Sequence, residues 1–117
     1  LLVSGNGSIQ KAQVESPLSW YIGGSPKLES IVVNAYRTFG VKLFERPSRT
    51  AAGEIGRIQN VAPSLQLIDT GLYWHSDHET SDIIPESGLE AVTRAYAKII
   101  DDIAPLAIAD LQRTEPR

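Results

Sequence analysis

Cysteine and methionine do not occur in this chain of 117 residues, and histidine occurs only twice. The lack of cysteine excludes disulfides and thiolate metal sites, leaving imidazole and carboxylate as the donors a metal could use. No apolar run approaches the roughly 20 residues of a membrane span. No long basic run is present and the net charge is −3, which argues against the phosphate-neutralising surface of a nucleic-acid binder. The first residues, Leu1-Leu2-Val3, lack the basic flank and long apolar stretch of a secretory signal. Running into Gly5-Asn6-Gly7, they read as the end of a strand entering a turn. With methionine lacking as well, the expectation is a chain that starts in mid-strand, with further polypeptide upstream.

What is present is the apolar and charged content of an ordinary globular protein, 42% and 21%. The length suffices for one domain and lies near the lower end for an α/β enzyme. Residues 5–24 are rich in Gly, Ser and Asn and read as a long loop holding one short strand. Ser25 suits an N-cap and Pro26 a first helical position. Leu28, Ile31, Val32, Ala35, Tyr36 and Phe39 then recur at helical spacing, with Lys27, Glu29, Asn34 and Arg37 off the stripe and Gly40 as the stop. Alternation from Val41 to Arg46 predicts a strand ended by Pro47. A short helix is predicted over Glu54 to Asn60, then a strand from Ser64 to Asp69. The last helix follows Pro85, with Ser87 and Glu90 as a capping box and one apolar face of Leu89, Val92, Tyr96, Ile99, Ile100 and Ile103. Glu90 and Arg94 are spaced as an ion pair. Pro105 ends or kinks the helix, and 106–117 is a tail beginning as a helical turn. Alternating strands and helices predict an α/β fold: part of a three-layer α/β/α sandwich with a mostly parallel sheet, in one incomplete domain spanning 1–117.

In such sheets ligands bind beyond the carboxyl ends of strands. The segment that follows the strand at 64–69 reads Gly71-Leu72-Tyr73-Trp74-His75-Ser76-Asp77-His78-Glu79-Thr80-Ser81-Asp82 and holds both histidines. Imidazole and carboxylate in one short segment suit a zinc site, and the two aromatics could wall it off; the same residues also suit a solvated surface turn. No Gly-x-Ser-x-Gly elbow and no phosphate-binding loop accompany them. Glu54 stands either near a pocket or simply in a first helical turn, where acids are favoured.

Pro63-Ser64-Leu65-Gln66-Leu67-Ile68, Tyr73-Trp74-His75-Ser76, Glu79-Thr80-Ser81-Asp82 and Pro85-Glu86-Ser87 before a long helix resemble the closing stretch of the di-zinc aminopeptidase family of zinc-dependent exopeptidases. The resemblance spans about residues 53 to 104 of this sequence; before it only element order and Phe39-Gly40-Val41 fit. It implies a metallopeptidase that hydrolyses peptide bonds with metal-activated water and holds two zinc ions. His75 would be the last metal ligand. Tyr73, Trp74, Asp77, Glu79, Thr80 and Glu54 would be supporting or pocket residues. The remaining ligands and the general base are expected upstream, so no catalytic residue falls within this chain, which by itself would be inactive. Two departures stand out: Trp74 replaces the usual Tyr, and Glu79 the commoner Asp. The implied partners are a peptide substrate and the rest of the catalytic domain, without nucleic acid or a membrane span; the implied location is secreted or periplasmic. A glutaminyl-cyclase-type zinc acyltransferase and a non-catalytic, receptor-like interaction domain are the alternatives.

Overall fold

Ser25 and Pro26 start the first helix as the local sequence dictates. In the computed structural model, which describes residues 18–68 and 86–113, α1 spans Pro26–Thr38, and the Ser25 hydroxyl accepts the Leu28 amide at 3.2 Å. The helix closes on Gly40, whose φ of 75° suits a residue without Cβ. The Gly40 amide donates to the Arg37 carbonyl and the Val41 amide to that of Tyr36, the paired bonds of a Schellman stop. Val41 and Tyr36 are both in the core, so the stop also seals an apolar contact.

Ahead of α1 lies β1, Ser19–Gly23, the short strand expected within residues 5–24. Trp20, Tyr21 and Ile22 are all buried, so both faces of this strand are covered. On one edge β2, Ser64–Ile68, pairs antiparallel, with Ser19 opposite Ile68 and Gly23 opposite Ser64. On the other edge Leu43 forms a single parallel bridge to Leu18. The sheet of the described residues is therefore a two-stranded antiparallel pair with one parallel bridge beside it, and the mostly parallel three-layer sandwich is not seen.

Both departures have physical causes. The strand predicted over Val41 to Arg46 is reduced to one bridge. Leu18 uses the Lys42 carbonyl and the Phe44 amide, but the Phe44 carbonyl, which a parallel ladder would use next, accepts the Trp20 indole N–H at 2.8 Å. The next bond to the Trp20 carbonyl comes from Ser48 instead of Arg46, so the chain bulges past Pro47, which has no N–H to give. A parallel return also needs a crossover of a dozen or more residues, usually a full helix. Between Leu43 and β2 the only regular element is the 3₁₀ helix Gly53–Arg57. The connection crosses to the other edge of β1 and β2 comes back reversed.

The face of β1 carrying Leu18, Trp20 and Ile22 packs on α1 and on α2, Glu86–Ile103, with Leu67 of β2 in the same core. The opposite face carries Tyr21 and Gln66, and there the Gln66 amide exchanges two hydrogen bonds with the Ala52 backbone, each 2.8 Å. That pair straps the connecting segment down on the side where a second helical layer was expected.

The inward stripe of α2 also differs from the predicted one. Val92 and Ile99 are buried as expected, but Leu89 is 42% and Ile100 63% exposed. Gly88, Ala91 and Ala95 are buried in their place. Small residues let α2 approach α1 closely, and the larger side chains flank the contact. Ser87 is the second residue of the helix and so cannot be its cap. Glu90 and Arg94 pair at 2.9 Å, as predicted, and Lys98 pairs with Asp102 at 3.1 Å.

The tail begins with α3, Ile108–Leu111. Its carbonyls meet the start of α1: the Ser25 amide donates to Leu111 at 2.9 Å and the Ser25 hydroxyl to Asp110 at 2.5 Å.

Candidate functional site

The segment carrying His75, Tyr73, Trp74, Asp77, Glu79 and Thr80 lies outside the described residues, and its two flanks do not. It leaves β2 at Ile68 and rejoins the fold at Glu86, the start of α2. It therefore follows a strand and precedes a helix, the order the sequence predicts, but in the antiparallel pair the carboxyl end of β2 is the amino end of β1, so the strand-end rule of parallel sheets does not single out this edge. The antiparallel register adds a detail. Ile68 faces Ser19, so the chain leading into β1 and the chain leaving β2 attach at the same end of the sheet. The first turn of α1, which follows Gly23, lies at the other end.

Glu54 is the second residue of the 3₁₀ helix Gly53–Arg57 and is exposed. That helix packs against β2, next to the Gln66–Ala52 strap. Among the described residues there is no group of three or more His, Cys, Asp or Glu side chains that could hold a metal ion. These residues do not make a zinc site by themselves. The donor set implied by the resemblance consists of His75 and of ligands expected on other polypeptide.

Two further features carry polar chemistry. The first is a cleft of about 430 Å³ between α1 and segment 41–45, lined by Trp20, Glu29, Val33, Arg37, Val41, Leu43, Phe44 and Glu45. Sequence reasoning passed over it. Glu29 and Arg37 were legible as residues off the apolar stripe, but the wall opposite them depends on segment 41–45 folding back beside α1. The second is the tyrosine pair between α1 and α2. The Tyr36 and Tyr96 rings meet edge to face, centroids 6.0 Å apart at 89°. Burial first, and then the neighbouring Tyr96 phenol, pushes the Tyr36 phenol far above its ordinary range. Burial also raises Tyr96, against an opposing pull from Tyr36. The Tyr36 hydroxyl is buried, with the Tyr96 phenol near it but not in hydrogen-bond geometry, so a neutral phenol packed for its ring explains it better than an acid–base role does.

Comparison with known proteins finds no matching family model, no matching curated protein and no matching solved structure.

Proposed function

We propose that this chain is the closing part of a zinc-dependent exopeptidase of the di-zinc aminopeptidase type, a metallopeptidase that removes residues from the end of a peptide by metal-activated water. The observation that carries the reading is the run Tyr73-Trp74-His75-Ser76 with Glu79-Thr80-Ser81-Asp82, framed by a strand that ends at Ile68 and a long helix that starts at Glu86. In this reading His75 is the metal ligand contributed here. Trp74, Tyr73, Asp77, Glu79, Thr80 and Glu54 are its candidate supporting and pocket residues.

The finer architecture is part of the proposal: the mixed α/β unit described here joins other polypeptide of its own catalytic domain in a three-layer sandwich, and that polypeptide supplies the other zinc ligands and the general base. A single imidazole cannot hold zinc against water, so the 117-residue chain alone should bind zinc weakly and hydrolyse nothing. The decisive measurement uses the intact parent polypeptide. His75→Ala should abolish turnover of aminoacyl substrates and lower the zinc content. Unchanged turnover and full zinc occupancy in that variant would reject the assignment.

A further inference from the structure

The cleft beside α1 has ends of opposite charge. Glu29, Val33 and Arg37 recur every four residues and form one wall along α1. Glu29 and Arg37 are thus about 12 Å apart at about 1.5 Å of rise per residue. The opposite wall is segment 41–45. Val41 is bonded to the last turn of α1, and the chain then runs beside β1 in the direction of β1. Because α1 runs back against β1, segment 41–45 heads from the Arg37 end toward the Glu29 end. Glu45 therefore lies on the Glu29 side of Val41, and two carboxylates stand toward one end with a guanidinium at the other. No salt bridge or side-chain hydrogen bond among the described residues engages Glu29, Arg37 or Glu45. Between the charges the lining is apolar. Trp20, 3% exposed, forms the floor with its indole N–H already given to the Phe44 carbonyl, and Phe44 is 52% exposed.

We infer that this cleft binds a short extended peptide by both of its charged termini, with the ammonium toward Glu29 and Glu45, the carboxylate at Arg37 and apolar side chains over Trp20 and Phe44. A span of about 12 Å accommodates about three to four extended residues at roughly 3.3 Å each, and the volume is within the range of small-ligand sites. The site needs no metal and shares no residue with the His75 segment, so it stands or falls independently of the peptidase reading.

The test is a titration of the 117-residue chain, in the presence of EDTA, with the tetrapeptide alanyl-leucyl-leucyl-alanine. It is followed by NMR at the Trp20 indole N–H and the Val33 and Leu43 amides. Saturable shifts at these three positions are expected. Acetylating the amine or amidating the carboxylate should each weaken binding about two- to five-fold, the scale of an exposed charge pair. Arg37→Gln should remove the sensitivity to amidation and keep that to acetylation; Glu29→Gln with Glu45→Gln should do the reverse. His75→Ala should change none of this. A doubly blocked peptide that binds as tightly as the free one, or the lack of saturable shifts, would overturn the inference. These peptide comparisons on the unaltered chain decide the matter even if a variant fails to fold.

Discussion

Tyr36 shows what a single buried oxygen does to stability. Its ring fills the α1–α2 contact, while its hydroxyl has left water without finding a partner, a loss that commonly costs about 1–3 kcal/mol. Tyr36→Phe keeps the ring and removes the oxygen, so it should raise unfolding stability by about 1 kcal/mol in a urea titration. The same burial sets the response to alkali. Both phenols have raised values in the folded chain, whereas in the unfolded chain they ionise near 10.0. Above that pH the unfolded state has released protons that the folded state retains, so stability is full below pH of about 10 and falls as pH rises past it. Melting temperature should therefore drop on going from pH of about 9 to about 11, and less steeply in Tyr36→Phe. An equal slope in the variant would contradict this assignment. Gly24 is set by a neighbour rather than by its own torsions. A Cβ there would lie 2.7 Å from the Leu111 carbonyl oxygen and 2.6 Å from Leu28 Cδ2. Gly24→Ala should push α3 off the start of α1, read as faster hydrogen exchange of the Ser25 amide.

At the scale of elements, what the sequence made legible was local and what it hid was not. Ser25, Pro26, Gly40 and Pro105 act on their own neighbours, and the boundaries they predict for α1 and for the end of α2 agree with the structure to within about two residues. The direction of β2 was not legible, because it depends on how the chain returns from Leu43 to Ser64, and periodicity says nothing about that. Nor was the inward face of α2: a hydrophobicity count favours Leu89 and Ile100 over Gly88, Ala91 and Ala95, whereas close helix packing selects the small residues. The candidate site divides the same way. The His75 segment was found as a cluster of residue types in sequence, while the charged cleft exists only once α1 and segment 41–45 lie side by side. Two substitutions separate the two faces of α2. Ala95→Leu should destabilise by about 1–3 kcal/mol through overpacking, while Leu89→Ala at an exposed position should change stability by less than about 0.5 kcal/mol. The reverse order in chemical denaturation would restore the predicted face.

Among the described residues, several large apolar side chains stay outside the core. Phe44, Val61, Ile100 and Ile108 are each more than half exposed, and among the described residues nothing pairs with the outer edge of β2. An open strand edge and scattered large apolar side chains both favour association. The isolated chain should sediment as a concentration-dependent mixture of monomer and larger species, and Ile100→Glu should shift it toward monomer. A monomer at all concentrations with a sharp reversible melt would show that this surface is tolerated as it stands.

The contact between Ser25 and Asp110 joins positions 85 apart in sequence. During synthesis the first helix is made before residues 110–111, so its starting turn cannot be tied down until those residues have left the ribosome. Such distant closure is slow relative to helix formation, so a nascent chain ending short of residue 110 should stay open to proteases around α1 and become resistant once residues 110–111 have emerged.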